Sequence, residues 1–389
     1  MLFMRAIPKK HRVFIVICLS LLPALVFSAL DTYTHFAAPM NWKIYDSLMK
    51  MKYNLIGPPA AAKDFVLITI DNETLENIPQ RWPYPRSYFI TAIRNLTKAG
   101  VRLIAFDFAF FGASDPEIDR ALVDEMGKNG VIAANSITED GAIFCPLAGQ
   151  TGKNIRSGFV TKFPEHDGAV RRSLTYLVSS RDWQSGFLSW GLQILCVVKS
   201  IDPNSFLIRA DTLSFQNAAG EKWDLPVDPD KKSFLINFRA HTKDFIRIPF
   251  CHLIEGTFDE ASVKGKVALL GFTSLMLGDV HNTAIGLLPG LTLNANALLT
   301  LYTHDFLKEI PWLIQLLLLF YAAYSSLIFA HIFKRKALAL IITAQIIVFL
   351  LLSYVLLLNG YCWNYALFPI VAIFSPFFTI KMIAYFKAV

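Results

Sequence analysis

Four side chains have the types and positions to meet a ligand together: Asp71, Asp107, Asp279 and His281. Each lies at or beyond a short apolar run of the kind that forms a buried strand. Residues 65–71 read Phe-Val-Leu-Ile-Thr-Ile-Asp, 102–110 are rich in Phe and Ile, and Val-Ala-Leu-Leu-Gly at 267–271 precedes Asp279 and His281. In an open parallel sheet the carboxyl ends of the strands face one crevice, where ligands bind. Three carboxylates and an imidazole gathered there would take a cation or a polar small molecule. The same acids have a structural use, capping the next helix or holding Arg86 in place. His281 taken alone, with no partner at ligand spacing, is more often a core or surface residue.

A second group, Arg81-Trp82-Pro83-Tyr84-Pro85-Arg86, joins two guanidiniums to aromatic faces and stiff prolines. Functionally, Trp82 and Tyr84 form an interface lip and Arg86 joins the ligand set. Structurally, the run is a rigid connector with Trp82 on the sheet and Arg86 opening a helix, and the prolines favour this second use. The motifs of nucleotide-binding and hydrolytic enzymes are missing: no G-x-G-x-x-G, P-loop, H-E-x-x-H or G-x-S-x-G occurs. Without a nucleophile–base set or metal-ligand spacing, no catalytic residue, metal or cofactor is expected, and the chain reads as a non-enzyme.

The elements that would position these residues alternate between strand and helix. After the strand at 65–71, residues 86–99 place Phe89, Ile93 and Leu96 on one helical face and stop at Gly100. Asp115 caps a helix with Pro116 in its first position, and Ile118, Leu122 and Met126 form its stripe. Strands follow at 131–134, 174–178, 234–238 and 267–271, with helices at 187–198 and 294–302 and hairpin-like spacing in 200–230. Crossovers of this length imply parallel, right-handed connections. The Phe-rich stretch 106–111 is mostly core, with a surface patch as its other use.

Composition sets this domain in a membrane. Apolar residues make up 54% of the 389 and charged residues only 17%. All 30 acids lie in 31–310, while Arg5, Lys9, Lys10, Arg12, Lys334, Arg335, Lys336, Lys381 and Lys387 flank apolar stretches. The net charge of +7 is therefore a positive-inside pattern, and no nucleic-acid partner is implied. Four spans are predicted, at 13–30, 312–333, 337–358 and 361–386. The first reads as an uncleaved anchor, although Pro23 with Ser28 and Ala29 also resembles a cleavage region. Residues 1–12 and 387–389 are then cytoplasmic and 31–310 lies outside. The spans hold no Asp, Glu or Arg in the hydrocarbon zone, which removes the marks of a pump or ion path. Cys145, Cys196 and Cys251, odd in number, supply no disulfide framework. The expected fold is an α/β periplasmic domain, its sheet mostly parallel with a partly antiparallel insertion, plus four transmembrane helices.

Taken in order, Ile44-Tyr45-Asp46, Ile68-Thr69-Ile70-Asp71, the Arg81–Arg86 run, Ala99-Gly100, Ala105-Phe106-Asp107, Gly278-Asp279 and Pro289-Gly290 before Asn294-Ala295-Asn296-Ala297 resemble the type-two CHASE sensory domain of bacterial receptors. The resemblance covers roughly 40–305 and extends to the three following apolar helices. It implies an inner-membrane location, a periplasmic sensory domain and homodimerisation. This chain departs from the pattern twice. Asn294 stands where the family usually has His, and the chain ends soon after Ile380, where family members continue into a cyclase or kinase. The expectation is a periplasmic sensory or binding protein without its own output domain, working with a separate cyclase or kinase or another envelope protein. Its alternative is a structural or scaffold subunit of a multiprotein envelope assembly.

Overall fold

The computed structural model describes residues 9–112, 114–137, 143–153, 155–178, 186–203, 205–209, 211–217, 219–228 and 230–388, with side chains from 21 to 377 in the terminal helices. The chain divides into two compact units, one built from both flanks (up to Lys52 and from Leu307) and one from Tyr53–Phe306. The basic N-terminus expected at 1–12 lies mostly outside the described residues, as does Val389 of the expected cytoplasmic end.

In chain order the elements that matter are helices α1 (Lys9–Thr34) and α2 (Ala38–Ile56), strand β1 (Phe65–Ile70), helices α3 (Asn72–Asn77) and α4 (Arg86–Lys98), strand β2 (Leu103–Phe106) and helix α5 (Pro116–Lys128). Helix α6 (Trp190–Lys199), strand β3 (Ile246–Pro249), helix α7 (Phe250–Glu255), strands β4 (Val267–Phe272), β5 (Val280–Thr283) and β6 (Gly286–Pro289), and helix α8 (Gly290–Thr303) follow. Helices α9 (Trp312–Ile332), α10 (Arg335–Leu358) and α11 (Leu367–Ala388) complete the order.

The Tyr53–Phe306 unit is organised by a four-stranded sheet in the order β3-β1-β4-β2, every pair parallel. All six residues of β1 are buried, as its unbroken apolar run requires of a strand covered on both faces. The period of two then divides the core. Val66, Ile68 and Ile70 join Phe89, Ile93 and Leu96 of α4, Leu122 and Met126 of α5, and Leu253 of α7. Phe65 and Leu67 face the other way, onto Trp190 and Ile194 of α6 and Leu291, Ala295 and Leu298 of α8. At about 25 cal/mol per Å² of apolar area removed from water, these two clusters are the main favourable term in this unit.

The helix boundaries follow local chemistry. The Asp115 carboxylate accepts from the Glu117 and Ile118 amides at the start of α5. Helix α4 stops where Gly100 turns left-handed (φ 76°) and the Val101 amide returns to the Leu96 carbonyl. The strand expected over 102–110 ends at Phe106. Beyond it Phe108 and Phe110 leave the ladder and pack with Phe106 around Phe89, so alternation persists in a segment without strand pairing. Phe111 is exposed and the rest of the Phe-rich stretch is core. The antiparallel part is a three-stranded meander, Leu207–Ile208, Thr212–Gln216 and Lys222–Pro226, with the small pairs Arg172–Leu174 with Ser233–Leu235 and Tyr176–Val178 with Gly186–Leu188.

In the flanking unit, α9 and α10 contain the two stretches long and apolar enough to cross a membrane, Trp312–Ala330 and Lys336–Leu358. Only 28% and 17% of their apolar windows are buried, and Leu340, Val348 and Leu351 point outward. Where four spans were expected, two meet this length and composition among the described residues. In α1 and α11 the apolar segments so described, Leu21–Thr34 and Leu367–Phe377, are shorter. Residues of α2 up to Lys52 group with the apolar helices, and the compact α/β unit spans Tyr53–Phe306. Tyr45, Leu48, Met49 and Lys52 form a buried stripe on α2, with Tyr45 beside the Tyr365 ring and the Lys52 ammonium donating to the Leu357 carbonyl at 3.0 Å.

Candidate functional site

Asp107 follows β2 directly, and its amide still donates to the Leu270 carbonyl of β4, so the backbone is held by the sheet. Its side chain is 5% exposed. It fits because β4 presents Gly271 there; a Cβ at 271 would come within 3.0 Å of the Asp107 Cβ and 3.1 Å of Leu291. One carboxylate oxygen accepts from Asn294 Nδ2 of α8 at 2.5 Å. The other, Oδ2, is buried and has no hydrogen-bond partner among the described residues. Leaving such an acceptor unmatched costs about 1–3 kcal/mol, and more when it is charged.

Asp279 reaches the same place by another route. After β4 the chain makes a turn at Leu275–Leu277, capped by Ser274, and passes through left-handed Gly278. The Gly290 amide at the start of α8 donates to the Asp279 carbonyl at 2.9 Å. The carboxylate lies against Gly290 so closely that a Cβ there would come within 2.1 Å of an oxygen. Only glycine lets the acid sit on the helix N-terminus, where backbone dipoles favour negative charge. His281 Nε2 lies 2.9 Å from Asp279 Oδ1, and the ammonium of Lys162, from the loop after the Ser157–Phe159 strand, lies 3.6 Å away.

Electrostatics separate the two acids. Burial pushes Asp107 up to about 6; Asp279 raises it further, while Lys162, the Asn294 hydrogen bond and His281 pull it down. Burial also acts to raise Asp279, but the His281 hydrogen bond and the Lys162 charge outweigh it and hold this carboxyl below its usual range. Two carboxyls in one cluster with opposite shifts are a feature of sites that bind or move protons. Among the described residues no group of three His, Cys, Asp or Glu could hold a metal ion, and in this cluster the chain supplies its own cation, Lys162.

The structure thus brings together Asp107, Asp279 and His281 and leaves Asp71, Arg86, Trp82 and Tyr84 elsewhere. Asp71 caps α3, accepting from the Thr74 amide at 3.0 Å and the Thr69 hydroxyl at 2.8 Å, the structural use open to it from the start. Arg86 pairs with Asp119 in a buried contact and donates to the Gly112 and Phe111 carbonyls, so the acid that holds it is Asp119, outside the sequence-derived set. Trp82 stands edge-on to Phe272 (4.8 Å), Phe108 and Tyr84. Tyr84, 4% exposed, stacks on Phe250. Tyr84 belongs to the aromatic core, while Trp82 is half-buried and packs against it. Lys162 was missed because it sits in an irregular loop, with no periodicity to mark it.

Neither curated proteins nor solved structures gave a match to this chain. Residues 16–330, most of the chain, match the CHASE2 domain, so the protein belongs to the CHASE2 family of extracellular sensory domains.

Proposed function

We propose that this chain is a membrane-anchored receptor of the bacterial inner membrane. Its α/β domain samples the periplasm at the Asp107–Asn294 and Asp279–His281–Lys162 cluster and reports to a separate cytoplasmic partner, such as a cyclase or kinase. The observation that carries the site is the buried, unmatched oxygen of Asp107 at the carboxyl ends of the parallel strands. Other buried polar atoms of the described residues are unmatched too, but Asp107 Oδ2 is the one carboxylate oxygen among them, and an ionisable group left open is what a sensing site needs. In this reading α1, α9, α10 and α11 all cross the bilayer, and both termini are cytoplasmic. The basic run at 334–336 between α9 and α10 supports that orientation, as does the confinement of every acid to 31–310. No catalytic step is assigned to the chain.

A second reading, a structural subunit of an envelope assembly, is favoured by exposed apolar side chains on the same unit. Leu275 and Met276 are 70% and 80% exposed on the turn leading to Asp279. The test is a mild-detergent pull-down of the tagged full-length chain with mass spectrometry. Recovery of a single cyclase or kinase is expected. Several envelope proteins in fixed ratio would replace the receptor by the subunit.

A further inference from the structure

Among the described residues the cluster has one unmatched group, Asp107 Oδ2, and tight walls: Gly271 and Gly290 could not carry even a methyl without contact with the two acids. The charged groups facing Asp107 are Lys162 from the loop after Ser157–Phe159 and Asp279 and His281 from the segment after β4. The other walls given by the described residues are neutral: β4 contributes Gly271, and α8 contributes Leu291 and Asn294. An ionised Asp107 must therefore share Lys162 with Asp279, and its second oxygen lies out of water without a donor among the described residues.

We propose that the stimulus taken by this cluster is the proton, which binds Asp107 Oδ2 and shifts Lys162 and His281 wholly onto Asp279. Protonation removes the buried charge and leaves the Asn294 bond to the other oxygen in place. Lys162 and His281 then answer to a single carboxylate, which sits on the N-terminus of α8. The loop bearing Lys162, the hairpin β5–β6 and the first turn of α8 are the segments coupled to the change. This rests on the receptor reading above and deepens it by naming the stimulus.

Burial supplies the driving force, and the raised value of about 6 puts the change within a range that an exterior compartment traverses. The test is infrared difference spectroscopy of the full-length chain in lipid nanodiscs, titrated between about pH 7.5 and about pH 5, with hydrogen exchange at the two ends. The wild type should gain one buried carboxylic-acid band with a midpoint near 6. Asp107→Asn, which keeps an oxygen for Asn294, should lack the band. Lys162→Met should move the midpoint upward, since its positive charge favours the ionised acid. Exchange of residues 273–297 should change between the two conditions in the wild type and not in Asp107→Asn.

Persistence of the band in Asp107→Asn, or a midpoint unmoved by Lys162→Met, would overturn the proton site. A band that appears without any change in exchange would overturn the proton as a stimulus. Either failure leaves the pull-down result standing. A pull-down that yields a fixed assembly would sink the receptor whatever the titration shows.

Discussion

Asp107 and Asp119 are both buried carboxyls, and their neighbours give them opposite signs. Asp119 is also raised by burial, but bonds from Ser114 and Arg86 outweigh this and hold it below the usual carboxylate range. Its contribution to stability is present above the unfolded value of 3.8 and is lost as pH falls through the lower folded value. Removing it takes away the carboxylate paired with the buried Arg86 guanidinium. Asp119→Ala should cost about 3–5 kcal/mol, read from the urea midpoint of the full-length chain in detergent. Asp107 runs the other way. Its folded value is raised, so its contribution is present below 3.8 and lost as pH rises through about 6. At about pH 7.5 Asp107→Asn should stabilise the protein by up to ~3 kcal/mol, an advantage that vanishes toward about pH 4. An equal advantage at both ends would mean that the carboxyl does not change charge in this range.

At the scale of elements, two acids in similar settings separate cap from site. Asp115 and Asp71 each hold the first turn of a helix. Replacing either with Ala should cost about 1 kcal/mol by thermal unfolding, while the Asp107 titration stays where it is. A moved titration in Asp71→Ala would return Asp71 to the sensing cluster. This also shows what the sequence could reveal. The apolar run at 65–70, the stripe of Phe89, Ile93 and Leu96, and the Asp115-Pro116 start carry their structure in a few adjacent residues, and all three stand as expected. The strand over 102–110 was read too long because Phe106, Phe108 and Phe110 alternate for the sake of one aromatic cluster. In the site, Asp107, Asp279 and His281 were legible from their place after strands. Lys162 meets Asp279 across more than a hundred residues and Arg86 meets Asp119 of the next helix in sequence, across an intervening strand, pairings that no local pattern encodes.

At the scale of the molecule, orientation in the bilayer is the property to test. In a chain whose native cysteines are replaced by serine, Lys128→Cys should react with an impermeant maleimide added outside the inner membrane. Lys336→Cys should react only after permeabilisation. The reverse pattern would invert the receptor. The flanking unit also sets an order of events. The Asp31 carboxylate accepts from Asn364 Nδ2 at 2.8 Å, Asn41 holds the Tyr365 amide at 2.7 Å, and Lys52 caps the last turn of α10. The first two partners are 333 and 324 residues apart. During synthesis α1 and α2 leave the ribosome long before their partners exist, while the α/β unit has its whole sequence between them and folds first. The helical unit is therefore the last part of the protein to close, and the α/β unit must hold its fold alone until the closing helices have emerged.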